Sequence, residues 1–326
     1  MDGVGQSFSY LTQLGLDTDG YRSPNLHCHE AIDYMSGWTC CPGAPPVTAA
    51  PLGVFPAKPS ALAEMFTVSP VLIGAVHLPA LPGSPRYTGQ PVAEIARFAV
   101  DESRTYLDNG FDGVIVENHW DIPFLKPGQH GYETAASMGV VTTAVVAEFG
   151  GAVGVSILSN GGECGVAAAW AAGARFVRVN QWANAYIANE GFIEGQAAST
   201  TRFRHRIGAG PVRIFADVHV KHGAHAIMAD RTVSEQTRDV EFFDADVLIA
   251  TGSRTGDATS IDEVVVIRDN TGLPVVIGSG ITAENVGGLL VECHGAIVAS
   301  SVKDNGRWWG RVAAEKVRAV SRAAGR

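Results

Sequence analysis

The sequence predicts an α/β chain: a (β/α)8 barrel of the TIM-barrel class, preceded by an irregular N-terminal extension. Three observations carry this. From about Ser69 onward, eight short β-branched runs alternate with eight amphipathic stretches. The units are even in length and fill about 255 residues, the usual size of such a barrel. The first 64 residues are different in kind, with seven of the 16 prolines, three of the five cysteines and no sustained period. A doubly wound open sheet is the architectural alternative, but it seldom has eight such even units.

The chain divides into residues 1–64 and 65–326. Segment 42–59, PGAPPVTAAPLGVFPAKP, reads as an extended linker, because proline forbids helix and donates no ladder hydrogen bond. Two readings of the extension stay open: translation that begins near Met65, or an arm or lid over a partner subunit. His27-Cys28-His29-Glu30 and Cys40-Cys41 raise the question of zinc, but adjacent cysteines and alternating histidines fit its ligand spacing badly.

The expected strands are 71–78, 111–118, 152–159, 174–181, 212–220, 245–252, 274–280 and 295–301. Most are entered through Gly, Pro, Asp or Ala, as buried parallel strands often are. The expected helices are 91–109, 132–149, 162–172, 191–207, 233–243, 260–270, 282–291 and 308–323. The last of these carries the apolar stripe a closing barrel helix needs, and Trp308-Trp309 at its start are candidates for an exposed subunit interface.

Composition removes several classes of function. With 46% hydrophobic and 17% charged residues the chain is not disordered. Its net charge of −9 gives no basic surface for nucleic acid. Five cysteines argue against a disulfide scaffold. MDGVGQSFSY has neither a basic start nor an apolar core, and no stretch of 18 apolar residues occurs, so neither a secretory signal nor a membrane span is expected. A cytoplasmic protein acting on a small molecule, with homo-oligomerisation open, is the resulting expectation.

In a (β/α)8 barrel the active site lies at the C-terminal strand ends, and polar residues collect there. They are His77 in the first strand, Glu117, Asn118 and His119 in the second, and Asn160 in the third. Arg178, Asn180 and Gln181 follow in the fourth, with Thr251 and Ser253 in the sixth. The fifth run, RIFADVHVKHG, alternates Phe215, Asp217, His219 and Lys221 with apolar neighbours. Period 2 then stacks an acid, an imidazole and an amine up the lumen. Burying such groups is costly unless they are paired or coordinated. A network that only fills the top layer is the bland alternative. Glu117 and His219 are candidate general bases whose pKa burial would bring toward neutrality, and His77 is a weaker catalytic candidate.

The glycine turn Gly278-Ser279-Gly280, followed by an expected helix opening at Thr282, offers space and backbone donors to an anion. Ser300, Ser301 and Lys303 end the eighth strand nearby, and the loops after strands 7 and 8 are the usual phosphate location. Arg254, in the glycine-flanked loop after strand 6, can clamp an anionic group. No organic cofactor is indicated. A divalent cation on His77, Glu117, Asp217 and His219 is chemically reasonable but has no spacing signature.

These residues also carry a resemblance. GAVHLPALPGSP (74–85), GVIVENHWDIPF (113–124), RVNQWANAYIANEGFIEG (178–195), ADVHVKHG (216–223), ATGSRTG (250–256), GSGITAEN (278–285) and IVASSVKDNG (297–306) look like the BtpA/SgcQ family. The likeness runs in order from about Val71 to Arg322 and implies a TIM barrel. It constrains function loosely, since one branch is named for photosystem I biogenesis and others sit among sugar-metabolism proteins. His119-Trp120 and the 180–195 loop depart from the family's usual residues, and both line the expected mouth.

The functional expectation is a barrel enzyme acting on a small phosphorylated or otherwise anionic metabolite, a sugar or nucleoside derivative. Gly278, Ser279, Gly280, Ser300 and Ser301 hold the anion, while Asn160 and Asn180 orient the substrate. Glu117, Asp217 and His219 supply acid–base groups, and Lys221 stabilises an oxyanion or forms a Schiff base. Lyase, aldolase or isomerase chemistry follows most directly. Cleavage of a C–N or glycosidic bond by Asp217 and Glu117, or a non-catalytic assembly or regulatory role, are the alternatives.

Overall fold

The computed structural model describes residues 57–252 and 259–326. The His27–Cys41 cluster, most of the 42–59 linker, Ser253 and Arg254 therefore lie outside the described residues.

All eight expected runs form strands, each trimmed by a few residues: β1 (Val71–His77), β2 (Gly113–Glu117), β3 (Ala152–Ser156), β4 (Phe176–Val179), β7 (Arg213–Asp217), β8 (Val247–Ala250), β9 (Val275–Ile277) and β10 (Gly295–Val298). They close into one parallel barrel in the order β1-β10-β9-β8-β7-β4-β3-β2. Helices α2 (Val92–Leu107), α3 (Tyr132–Phe149), α4 (Gly162–Ala172), α5 (Ala197–Arg206), α6 (Val233–Phe242), α7 (Ile261–Asp269), α8 (Val286–Leu289) and α9 (Ala314–Ala323) follow the strands in turn.

Alternation along the strands sorts the core into two. Leu72, Val114, Val153, Val177, Ile214, Leu248, Val275 and Ala296 face the helices. Ile73, Ile115, Phe176, Phe215, Ile249, Val276 and Ile297 fill the lumen, where the Phe176 and Phe215 rings stack at 4.3 Å. Gly154 makes room for that stack, since a Cβ there would lie 2.2 Å from Phe176. The lower lumen is thus solid hydrocarbon, and polar side chains begin only above it.

Two expectations about elements are corrected, and a short helix lies across the expected boundary. The boundary after residue 64 falls inside a short helix, α1 (Ala61–Met65), whose N-cap Ser60 accepts from Ala63 N–H. Ala61, Leu62 and Phe66 are buried and close the barrel floor. The helix expected over 191–207 starts only at Ala197. Residues before it form a hairpin of β5 (Ala185–Ala188) and β6 (Gly191–Glu194), turned at Asn189-Glu190 with Gly191 at φ +97°. Tyr186 and Ile193 of the hairpin pack on Val220. The helix expected to open at Thr282 is the four-residue α8, and the Thr282 N–H is instead taken by the Asn285 side chain at 2.8 Å. No helix dipole therefore points at the glycine turn.

Removing the floor should be costly. Leu62→Ala is expected to lower unfolding free energy by about 2–5 kcal/mol through the cavity it leaves. Urea unfolding that shifts by less than about 0.5 kcal/mol would show the floor is not part of the cooperative core.

Candidate active site

Parallel register brings the strand ends to one level: His77 pairs with Glu117, Glu117 with Ser156, and Ser156 with Arg178. Above the Phe176–Phe215 layer the lumen therefore turns ionic. A cavity of about 230 Å³ opens there, lined among others by His77, Glu117, His119, Arg178, Lys221, Gly278, Ser279, Gly280, Ser300 and Ser301. Nine of the residues read from the sequence as site candidates meet in it.

Arg178 is the junction. Its guanidinium grips Asp217 with two parallel bonds, Nε to Oδ2 at 3.0 Å and Nη2 to Oδ1 at 2.9 Å. Its Nη1 lies 3.8 Å from Glu117 Oε1. Asn180 Nδ2 donates to Asp217 Oδ2 at 3.2 Å, and the Thr251 hydroxyl donates to Oδ1. Gly278 makes way for this group, because a Cβ there would come 3.1 Å from Arg178 Nη2 and 2.5 Å from Ile249. The Gly278 N–H is spent on the Ala250 carbonyl, so this glycine contributes space and no donor.

The side of the cavity at the glycine turn carries Lys221 and several hydroxyls. Lys221 Nζ lies 3.4 Å from Ser279 Oγ. Burial, and then the charge of Arg178, lower its pKa to about 8 against the pull of Asp217 and Glu117. Gly280 sits at φ +71°, a left-handed conformation that glycine adopts without strain. Ser301 Oγ is buried and finds no hydrogen-bond partner among the described residues, which suits a hydroxyl kept for a ligand.

At the other end His77 Nδ1 lies 2.8 Å from the Trp308 carbonyl, which also accepts from Lys303 Nζ at 3.1 Å. His77 Nε2 faces Glu117 Oε2 at 3.3 Å, and His119 Nδ1 faces the same oxygen at 3.6 Å. Burial, then the charges of His119 and Lys303, pull His77 down to about 3. Burial pushes Glu117 up, but the facing rings of His119 and His77 and the charges of His77 and Arg178 outweigh it. The carboxyl is held well below its usual range. Glu117 is thus an ionised carboxylate, not the near-neutral base expected from its burial alone. His77, Glu117 and His119 are also a group that can hold a metal ion, their donor atoms all within 4.8 Å.

Several expected positions lie elsewhere. Strand β7 ends at Asp217, so alternation stops before His219. That side chain is 33% exposed, with its ring 4.1 Å from His225 and Nδ1 3.8 Å from Glu263. The lumenal stack expected of Asp217, His219 and Lys221 does not include it. Asp217 and Thr251 are buried beneath the cavity with the carboxylate fully engaged. Asn160 clamps the loops, donating to the Gln181 and Glu194 carbonyls and accepting from Gln181 N–H, and it faces a separate groove. Asn180 lines a neighbouring cavity of about 210 Å³ that shares His119 and Lys221 with the first. The Trp308 ring packs 4.8 Å from both His119 and Trp120, whereas Trp309 beside it is 50% exposed.

Trp308 is the residue that sequence reasoning left out of the site, while His119, placed at the mouth, is given no role there. His119 had a signal, since i and i+2 share a strand face and it stands two beyond Glu117. Trp308 had none, because it enters through its backbone carbonyl.

The model of the BtpA family matches residues 68–326. A Caenorhabditis elegans protein described as uncharacterized and mitochondrial is 36% identical over 244 residues, 73% of this chain and 87% of its own. The photosystem I biogenesis protein BtpA of Synechocystis sp. is 35% identical over 249 residues, 75% of this chain and 84% of its own. Among solved structures, tryptophan synthase from M. tuberculosis superposes with a TM-score of 0.50 at 14% identity, covering 82% of this chain and 99% of that one. That is a likeness of fold alone. No described helix is long and apolar enough to cross a membrane. With the family match spanning the entire barrel, this TIM-barrel chain belongs to the BtpA family.

Proposed function

We propose that the chain is an enzyme for a small phosphorylated or similarly anionic metabolite, a sugar or nucleoside derivative, using lyase, aldolase or isomerase-type acid–base chemistry. One observation carries this reading: one small cavity at the strand ends joins two cations, a hydroxyl with no partner among the described residues and an ionised buried carboxylate. Its size suits a small metabolite, and the neighbouring cavity extends it past His119 and Lys221.

Ser279, Gly280, Ser300 and Ser301 receive the anion, with Lys221 and Arg178 supplying positive charge. Glu117 then stands at the opposite wall as the group that takes a proton from carbon next to a polarised carbonyl. His119 stands beside it for proton return. Asp217 acts as a positioning residue that fixes the Arg178 guanidinium. Such chemistry on a soluble metabolite agrees with the cytoplasmic setting expected from composition. Glycosidic or C–N cleavage by two carboxylates loses support, because Asp217 has its oxygens engaged. An assembly role, as the Synechocystis relative's name describes for that protein, gives no reason to bury Lys221 and Glu117 at a cavity wall.

The direct test is mass spectrometry of the supernatant from denatured protein, together with melting curves across sugar and nucleotide phosphates. A matching phosphate at about 100 times its Kd adds about 2.7 kcal/mol of stability, a shift of several degrees. Ser279→Asp, which puts a negative charge in the anion seat, should abolish both the shift and the co-purified ligand. A panel that leaves the melting temperature unmoved would remove the anion reading.

Lys221 gives the site a pH signature. Its ammonium, faced by Arg178 from β4, Asp217 from β7 and Glu117 from β2, attracts an anion only while protonated. Affinity is therefore expected to be full below about pH 7 and to fall as pH rises through about 8. Lys221→Met should bind weakly at every pH and lose the transition. A Lys221→Met profile identical to wild type would assign the titration elsewhere.

A further inference from the structure

We propose that His77, Glu117 and His119 form the protein side of a divalent transition-metal site whose open positions face the cavity. Distance is the first ground. Glu117 Oε2 lies 3.3 Å from His77 Nε2 and 3.6 Å from His119 Nδ1. The second contact is too long for a hydrogen bond and the first is poor. Ligand atoms about 2.1 Å from a tetrahedral ion stand about 3.4 Å from each other, which matches both.

Hydrogen-bond bookkeeping is the second ground. The Trp308 carbonyl accepts only, so His77 Nδ1 carries the proton. In a neutral ring the Nε2 lone pair then points at a carboxylate oxygen, and both groups are 5% exposed. Two facing acceptors in a buried place need a proton or a metal cation between them. His119 Nδ1 is likewise buried and finds no hydrogen-bond partner among the described residues. Three inward-facing donor atoms thus share one gap.

The surroundings are those of a ligated imidazole. A metal-bound histidine ordinarily donates its far nitrogen to a carbonyl or carboxylate, which fixes tautomer and ring angle. The Trp308 carbonyl does this for His77, and Lys303 Nζ fixes the carbonyl from the other side. Arg178 addresses the other Glu117 oxygen, Oε1, and leaves Oε2 to the ion. Two imidazoles and one carboxylate suit zinc, iron, nickel or cobalt better than magnesium or calcium. Three protein ligands leave coordination positions open, as in catalytic rather than structural sites.

One movement accompanies binding. The His77 and His119 rings stack at 4.1 Å with planes 7° apart, whereas an ion lies close to the plane of each ring that binds it. His119, whose side chain is 19% exposed against 4% for His77, turns out of the stack toward the ion. Trp308, 4.8 Å away, then changes its neighbour. The site's use, polarising a carbonyl or hydroxyl of the bound anion, rests on the function proposed above; the metal binding itself does not.

The test uses the full chain, stripped with chelator and titrated with Zn²⁺ by calorimetry and with Co²⁺ by visible absorption. Wild type is expected to bind one equivalent that is lowered more than about 10-fold in His119→Ala, with tryptophan fluorescence changing on binding. His119 is part-exposed, so an unchanged melting temperature of the variant checks its fold. Co²⁺ held by nitrogen and oxygen gives weak visible bands, while capture by Cys28, Cys40 or Cys41 gives intense near-ultraviolet thiolate bands. Absence of any nitrogen–oxygen Co²⁺ signal, or equal Zn²⁺ affinity in wild type, His119→Ala and His77→Gln, would overturn the metal site. Melting shifts by phosphate metabolites are read on the same samples. Shifts without metal binding would defeat this inference alone, and metal binding without shifts would defeat only the anion reading.

Discussion

The bidentate contact between Arg178 and Asp217 is the constraint on which the upper barrel depends. A guanidinium and a carboxylate placed 2% to 8% exposed above a hydrocarbon lumen would each be prohibitively costly alone. Fork-to-fork geometry satisfies both, and Asn180 and Thr251 take the remaining Asp217 valences. Three strand ends, those of β4, β7 and β8, are tied together through this one group. Gly278 is small so that the fork can reach its partner.

That anchor also polarises the cavity. Arg178 is always charged, and its Nη1 beside Glu117 Oε1 helps keep a second carboxylate ionised in a buried place. On one side of the guanidinium stand Lys221, Ser279, Ser300 and Ser301, which favour negative charge. On the other stand Glu117, His77 and His119, whose donor atoms favour a proton or a cation. The cavity is thereby divided into a half that favours negative charge and a half that favours positive charge. Glu117 thus meets Arg178 through one oxygen and the two histidines through the other.

How much of this is legible in the sequence differs by element. The eight strands are legible because buried parallel strands are β-branched runs with glycine or aspartate at the entrance. The Gly278–Gly280 turn and Ser300-Ser301 are legible from their place after the last two strands. His219 is misplaced because apolar alternation continues through Val218 and Val220 although pairing stops at Asp217; Val220 serves the β5–β6 hairpin instead. That hairpin is read as helix because Gly191–Glu194 borders a true helical stretch, and the turn at Asn189-Glu190 is the overlooked signal. Saturation of Asp217 is invisible in one dimension, since its partners Arg178 and Thr251 stand 39 and 34 residues away. The Trp308 carbonyl that orients His77 comes from 231 residues away and leaves no side-chain trace.

The most direct measurement is a double-mutant cycle on the anchor, with urea unfolding of Arg178→Met, Asp217→Leu and the double variant. Each single change strands a buried charge and is expected to cost about 3–5 kcal/mol. The double variant, with neither charge left stranded by the other, should cost less than the sum by at least about 2 kcal/mol. Losses that add, or single losses below about 1 kcal/mol, would show that the upper barrel does not hang on this pair.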